Sequence, residues 1–421
     1  MQTNITIEYR KEPVILMNKP LEGIRVIELG THVAVPQAAR MMADWGAEVI
    51  KVEPPNGEPW RQIGKAYGIP CDIDHNPMFQ PPNANKKSIA IDLKSAEGKD
   101  VMLKLLETAD VFMTNTRGKA LDKLGMNYEA LKDKFPKLIY FHFTSFGPKG
   151  PDKDRPGFDN AAFWSRGGMP LEWTCKGSVP FKPQPGFGDG TVASNILAGI
   201  LAALLKKEKT GQGEKLETSL YAGALWFNGC GIVASQPRYG HLYPKERHDE
   251  IIPASPLFQT KDGDWLLVAM PDWDQKYAGL LKTLHLEQYI GDPRFATLKG
   301  AQPYIKELVD ILDKAFAEFT TREIVDGLNV AGIVHEKLAN PRDIFEDEQA
   351  WENDYLRKIT LEDGSEVTLP ANPIHFAGMG QTEYKLAPQL GADSVEILKS
   401  LGYGDEQIAK FVAKKAIVGK G

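Results

Sequence analysis

Short apolar runs alternate with helix-period segments along the first half of the chain. Ile24-Arg-Val-Ile-Glu-Leu29 has the near-continuous apolar character of a buried strand; Pro36 opens a helix over 37–45, Gly46 closes it, and 47–52 forms a second strand. This βαβ unit is followed by a strand at 88–92, a helix over 95–108 capped by Ser95, a strand at 110–114, a helix near 128–134 and a strand at 138–143. Strands alternating with helices predict an α/β fold: a largely parallel, Rossmann-like sheet covered on both faces. An Ala/Leu-rich helix over 191–207, a charged Gly-containing turn at 209–214 and an apolar helical stretch at 220–233 come next. From about 236 to 256 the composition shifts to Pro, Tyr, His and mixed charge, as expected of a connecting segment. A smaller α/β domain follows, with a strand at 265–269 and helices at 275–284, 305–319 and from 322 to 328, and the chain ends with a helix at 394–401. The expected divisions are an extension at 1–20, a large domain at 21–220, a connection at 221–256, a small domain at 257–340, a second connection at 341–369, and a segment at 370–421 that returns to the large domain.

Length supports that division, since 421 residues exceed what one core usually serves. A net charge of −6, from 50 basic and 56 acidic residues, gives no electrostatic case for nucleic acid or a membrane surface, so an anionic ligand needs a local basic cluster. The first residues mix charges without an apolar core, which excludes a signal peptide or membrane anchor there. Cys71, Cys175 and Cys230 are far apart and odd in number, so neither a disulfide framework nor a CxxC metal site is expected, and a reducing cytoplasm fits. The eight histidines show no paired metal spacing, and no metal is expected. The first βα turn, Gly30-Thr-His-Val-Ala-Val-Pro36, lacks the G-x-G-x-x-G fingerprint, which disfavours a nicotinamide dinucleotide.

One run carries candidate chemistry. Pro183-Gln-Pro-Gly-Phe-Gly-Asp189-Gly190-Thr191 delivers an acidic side chain between glycines to the start of a helix. Helix starts expose unpaired N–H groups that favour an anion, and glycines let an electrophile approach the backbone, so Asp189 is a candidate nucleophile; as an isolated motif it also reads as an N-cap in a Gly-rich turn. Lys86, Lys87, Lys94, Arg117, Lys119 and Lys123 gather near the expected strand ends and suit phosphate groups, or a solvated face. Phe158, Phe163, Trp164 and Trp173 suit an organic-acid pocket, or a core.

Taken in order, Pro20-Leu-Glu-Gly-Ile-Arg-Val-Ile-Glu-Leu29, Asp44-Trp-Gly-Ala-Glu-Val-Ile-Lys-Val-Glu53, Asn85-Lys-Lys-Ser88, Ala109-Asp-Val111, Pro156-Gly-Phe-Asp159, Gly188-Asp189 and Lys209-Thr-Gly-Gln-Gly213 resemble the class III coenzyme A transferases, from about residue 20 to Leu401-Gly-Tyr-Gly404. Lys149-Gly-Pro-Asp-Lys-Asp-Arg-Pro-Gly-Phe-Asp159, Ser165-Arg-Gly-Gly168 and Asp347-Glu-Gln-Ala-Trp-Glu-Asn-Asp-Tyr355 are similar to the clostridial branch that serves (R)-2-hydroxy acids.

The resemblance implies transfer of CoA from an acyl-CoA, such as a 2-enoyl-CoA, to an (R)-2-hydroxy acid such as phenyllactate or 2-hydroxyisocaproate, in amino-acid fermentation. It implies Asp189 as the nucleophile, passing through a mixed anhydride and an aspartyl-CoA thioester, with backbone N–H groups of the Gly-rich turn as oxyanion donors. CoA thioesters are then substrates, and no tightly bound cofactor is expected. The positions matching CoA contacts are Val33, Ala34, Ile91, Lys94, Asn115, Arg117, Lys123, Pro156, Gly157, Phe158 and Asp159. The implied assembly is an interlocked homodimer, with a 2-hydroxyacyl-CoA dehydratase as a further partner. Pro54, Val33 and Val35 depart from a family arginine, glutamine and glycine, and Asn115-Thr-Arg-Gly-Lys119 departs from Asn-Phe-Arg-Pro-Gly. Phe158 stands where the family's racemases place a histidine base, which makes racemization of an acyl-CoA the alternative reading, ahead of a non-catalytic acyl-CoA-binding subunit. No four-glycine run occurs in 246–264, so oxalate is not the expected acceptor.

Overall fold

A computed structural model describes residues 19–240, 242–379 and 383–419. The extension expected at 1–20 therefore lies outside the described residues except for Lys19 and Pro20. The chain divides into two compact units: one holds the residues up to Gly167, Pro183–Phe227 and everything from Trp351 onward, the other Gly168–Lys182 and Asn228–Ala350.

The first unit is built on a seven-stranded sheet. Six of its strands are β1 (Arg25–Leu29), β2 (Glu48–Glu53), β3 (Lys87–Ile91), β4 (Val111–Thr114), β5 (Ile139–Thr144) and β6 (Lys215–Ser219), parallel to one another, in the spatial order 3-2-1-4-5-6. The alternation of apolar strands and helices predicts this parallel arrangement; β6 was not expected, because Lys215-Leu-Glu-Thr-Ser219 is a half-exposed edge strand with little apolar character. Helix α1 (Ala34–Asp44) follows β1, α2 (Ala96–Glu107) precedes β4, and α3 (Gly118–Leu124) follows β4. Ser95 caps α2 as expected, its hydroxyl accepting the Gly98 N–H at 3.0 Å. Val101, Met102, Leu105 and Leu106 of α2 pack on Ile27, Ile50, Phe112 and Tyr140 of the sheet. Helix α4 (Phe187–Thr210) begins earlier than the expected residue 191, because Gly186 at φ +94° turns the chain into it; Gly211 at φ +70° ends it. By length and composition α4 could cross a bilayer, but Val192, Ile196 and Ile200 are buried within the unit and α4 packs on α1.

The second unit holds strands β7 (Phe258–Gln259), β8 (Trp265–Ala269) and β9 (Val334–Lys337); in the first unit, where a connection was expected up to residue 369, an antiparallel hairpin forms from β10 (Leu356–Thr360) and β11 (Glu366–Pro370). Beyond the expected helix, found at Ser394–Ser400, a second helix spans Asp405–Ala413 and β12 (Ile417–Val418) joins β3 antiparallel.

The second unit pairs the antiparallel β7, β8 and β9 with helices Trp273–Thr283, Ile305–Phe316 and Thr321–Val330. Phe258 stacks on Phe316 at 4.4 Å, and Thr320 with Glu323 forms a capping box, the physical reason the helix starts at Thr321 rather than at the expected residue 322.

A buried ionic cluster holds the centre of the sheet. Glu28 on β1 is fully buried and receives Lys51 Nζ at 3.0 Å and Lys86 Nζ at 2.6 Å; Lys51 also reaches Glu58 at 3.2 Å. Glu28 and Glu58 hold Lys51 protonated, well above its ordinary pKa against the opposing effect of burial, while burial pushes Lys86 down to about 8. Lys86 is thus structural, not a phosphate ligand, and Lys87 lies at the sheet surface against Glu48 and Glu396. Removing one partner of a buried pair leaves an uncompensated charge, so Glu28→Gln is expected to cost about 3–5 kcal/mol. Lys87→Ala, a half-exposed pair, is expected to cost under about 1 kcal/mol. Urea titration of the two variants checks this contrast.

Candidate active site

In open α/β sheets ligands bind beyond the carboxyl ends of the strands where the strand order reverses. Here that point lies between β1 and β4. A cavity of about 690 Å³ opens there, lined by Thr31, His32 and Ala34 after β1, by Asn115 to Ala120 and Lys123 after β4, by Phe143 to Ser145 at the end of β5, and by Lys153 to Arg155, Gly157 to Asp159, Asp189 and Leu220. Asn115 braces the two strand ends, accepting the Thr31 N–H at 3.0 Å and donating to the Thr31 carbonyl at 2.8 Å.

Asp189 is the third residue of α4 and not its N-cap. The helix start is instead capped from a distance. Asp159, which opens a π-helical turn at Asp159–Ser165 and is 3% exposed, accepts the Gly186 N–H at 2.9 Å and the Asp189 N–H at 3.2 Å, with the Gly188 N–H facing it as well. The Gly190 N–H goes to the Gly186 carbonyl. Three of the expected oxyanion donors of the Gly-rich turn, the N–H groups of Gly186, Gly188 and Asp189, are therefore turned to a carboxylate the sequence offered only as a ligand contact.

The two glycines beside Asp189 do different work. A Cβ on Gly188 would stand 2.2 Å from Asp159 Oδ1 and 2.5 Å from the Phe163 ring, so only glycine lets Asp159 reach the helix. A Cβ on Gly190 would meet nothing within 4 Å.

Asp189 is partly exposed toward the cavity, and its carboxyl is pushed up to about 7, by burial first and by the negative charge of Asp159 second. Asp159 is itself raised by burial, with the helix N–H groups acting in the opposite direction. The pair thus places a weakly basic carboxyl that titrates near pH 7 in the wall of the cavity. A nucleophile of this kind attacks a carbonyl without needing a base to deprotonate it.

Of the residues expected at the site, the structure brings together Ala34, Asn115, Arg117, Lys123, Gly157, Phe158, Asp159 and Asp189. Arg117 and Lys123 have no ion-pair partner among the described residues, whereas Lys119 pairs with Asp154 at 3.0 Å. Four expected residues lie outside the lining. Val33 is buried as the N-cap of α1 beside Trp60 and Phe79, Ile91 is in the sheet core opposite Ile417, Lys94 is exposed beyond β3, and Pro156 is exposed next to the cavity wall. The aromatic group also separates: Phe158 is 65% exposed and faces the cavity, Phe163 and Trp164 are buried beneath Gly188 and Phe187, and Trp173 belongs to the second unit, stacked on Phe181. His32 was missed. Its signal was position alone, directly after the central strand, since its flanking residues match no metal or catalytic spacing.

Likeness over nearly the whole chain decides the class: CoA-transferase family III matches residues 21–394. The chain belongs to CoA-transferase family III. This transferase is 39% identical over 397 residues to the (R)-2-hydroxy-4-methylpentanoate CoA-transferase of Clostridioides difficile, covering 94% of this chain and 99% of that one. It is 38% identical to the cinnamoyl-CoA:phenyllactate CoA-transferase of Clostridium sporogenes, covering 94% and 97%. Its fold is similar to a CAIB/BAIF family protein from Brucella suis, with a TM-score of 0.76 at 27% identity, covering 91% of this chain and 100% of that one.

Two predictions test the electrostatics of this transferase. With Asp189 as the attacking group in its ionised form, the rate with limiting acyl-CoA would be expected to rise with pH and reach half its plateau near pH 7; Asp159→Asn removes the neighbouring charge and is expected to move the midpoint down, with burial still holding it above an ordinary carboxylate. The sign for stability follows from the same shift. The folded state binds the Asp189 proton more tightly than the unfolded chain does, so the penalty is absent near pH 4, grows through the interval up to about 7 and is full above it. Asp189→Asn is therefore expected to raise the melting temperature at pH 8 and to leave it nearly unchanged at pH 4, read by calorimetry. Separately, Gly188→Ala is expected to destabilise by about 1–3 kcal/mol through overpacking while Gly190→Ala stays within about 1 kcal/mol, as measured by denaturant titration.

Proposed function

We propose that the protein moves CoA from an acyl-CoA, such as a 2-enoyl-CoA, to an (R)-2-hydroxy acid with an apolar side chain, with Asp189 as the covalent carrier. The observation that carries this reading is the Asp189 carboxyl, titrating near pH 7, in the wall of a cavity that Arg117 and Lys123 also line. The Asp189 oxygen attacks the thioester carbonyl, forming an aspartyl–acyl anhydride and releasing CoA thiolate. The thiolate attacks the aspartyl carbonyl, which frees the donor acid and leaves an aspartyl-CoA thioester. The acceptor carboxylate then attacks that thioester, again releasing thiolate, and the thiolate takes the acceptor acyl group from the second anhydride and restores the Asp189 carboxylate. Every electron pair stays with carboxylate or thiolate.

The guanidinium of Arg117 and the ammonium of Lys123 suit the CoA phosphates. Ala34, Asn115 and Pro156 to Asp159 complete the proposed CoA contacts with Val33, Ile91 and Lys94; of these Pro156, Val33, Ile91 and Lys94 lie outside the cavity lining. The order of the strands supports a Rossmann-like reading of the large unit. A homodimer is part of the proposal, supported by the exposed run Leu225, Trp226 and Phe227, with Trp226 75% exposed; so are a cytoplasmic location, a role in amino-acid fermentation and a dehydratase that uses the product.

A racemase reading gains one observation. The position that would hold a base is Phe158, but the His32 imidazole lies against it with ring centroids 5.4 Å apart. Incubating an α-chiral acyl-CoA in deuterated buffer separates the two, since racemization incorporates deuterium at the α-carbon and CoA transfer does not.

Asp189→Ala is expected to lower transfer between acyl-CoA and acceptor by at least about 1,000-fold while leaving binding of the CoA ester within a few-fold. Turnover at the wild-type rate by the purified variant would refute the assignment. Across acceptors, each methylene removed from the side chain is expected to lower kcat/KM by roughly 10- to 100-fold, so lactate should be poor beside 2-hydroxy-4-methylpentanoate.

A further inference from the structure

His32 sits directly after β1 with φ +63°, in the left-handed region that costs a residue with a side chain about 1–2 kcal/mol. A buried framework maintains it there. The His32 N–H donates to Glu58 Oε2 at 3.0 Å, the same oxygen takes the Trp60 N–H at 3.0 Å, and the other Glu58 oxygen faces Lys51 Nζ at 3.2 Å. Lys51 also holds the Gly30 carbonyl at 3.0 Å, so the backbone entering the histidine is pinned at Gly30 and at the His32 N–H. Strain kept in place by buried charge beside a cavity is a signature of a side chain that must point one way.

His32 lines the same cavity as Asp189. It meets Trp60 and Phe158 edge-on, with centroids 5.9 and 5.4 Å away, and its two nitrogens have no hydrogen-bond partner among the described residues. Trp60 also approaches the start of α4, since a Cβ on Gly186 would lie 4.0 Å from its ring. Burial lowers the pKa of His32, with Lys51 acting the same way and Glu58 opposing, so the ring is neutral at neutral pH. A neutral imidazole offers one donor and one acceptor, as an alcohol does, and the flanking aromatic rings suit the apolar side chain attached to that alcohol. The cationic side of the cavity, after β4, is the part suited to phosphates.

We propose that His32 hydrogen-bonds the 2-hydroxyl group of the acceptor acid and thereby sets the preference for 2-hydroxy acids over acids lacking that group. This rests on the reading that the acceptor is a 2-hydroxy acid. A site built to pair a hydroxyl leaves its own polar group unpaired when the hydroxyl is missing, which is how large discrimination arises.

The test compares wild type, His32→Phe and His32→Asn with (R)-2-hydroxy-4-methylpentanoate and with 4-methylpentanoate as acceptors. The half-reaction, release of the donor acid from acyl-CoA without acceptor, is followed in parallel. Wild type is expected to prefer the hydroxy acid. His32→Phe is expected to lose roughly 10- to 100-fold in kcat/KM for the hydroxy acid and to stay within about threefold for 4-methylpentanoate and in the half-reaction. His32→Asn keeps a donor and an acceptor and tolerates the left-handed backbone, and is expected to recover part of the preference. An equal loss on both acids, a matching loss in the half-reaction, or an unchanged preference in His32→Phe would overturn the proposal. Failure of the underlying reading would show in wild type alone, as no transfer to the hydroxy acid, and the proposal would fall with it.

Discussion

The carboxylate of Asp159 rests on the first turn of α4, taking the N–H groups of Gly186 and Asp189, and this contact governs the geometry around Asp189, the proposed nucleophile. It satisfies donors that a buried helix start cannot leave unpaired. It also places a second negative charge beside Asp189, which adds to the larger effect of burial, so a carboxylate that would ordinarily be fully ionised well below neutrality titrates near pH 7. Basicity rises with that shift, and a more basic oxygen is the better nucleophile toward a thioester. Gly188 is the condition for the contact, because any side chain there would occupy the space of the Asp159 carboxylate and the Phe163 ring.

A second constraint comes from beneath the sheet. Glu28, Lys51, Glu58 and Lys86 are buried together, and Lys51 ties β2 to the carbonyl of Gly30 while Glu58 receives the backbone of His32. Buried charges of this kind add little net stability compared with a well-packed apolar core, but they tolerate few alternative arrangements. Here the fixed arrangement reaches the loop that follows the central strand, at the point where a parallel sheet receives its ligands.

Much of this was legible in the chain. The parallel sheet follows from Ile24-Arg-Val-Ile-Glu-Leu29 and the alternating segments after it, and Asp189 stands out through its glycines and the helix that follows. The edge strand β6 and helix α3 were not legible, since Lys215-Leu-Glu-Thr-Ser219 is half-exposed and Gly118-Lys-Ala-Leu-Asp-Lys-Leu124 is a two-turn helix with one buried residue. Lys86 looked like a phosphate ligand because no local pattern reveals that Glu28, 58 residues earlier, lies beside it. The roles of Asp159 and His32 were hidden for the same reason: each depends on contacts between distant segments, with α4 in one case and with Glu58 in the other.

The central claim is that Asp189 carries CoA covalently. The most direct measurement is peptide mass spectrometry of the wild-type protein incubated with acyl-CoA in the absence of acceptor, quenched in acid and digested. The account predicts a peptide containing Asp189 whose mass is increased by CoA less one water, lost on brief treatment with hydroxylamine. A protein that completes transfer when acceptor is supplied, yet shows no such adduct or carries it on another residue, would contradict the account.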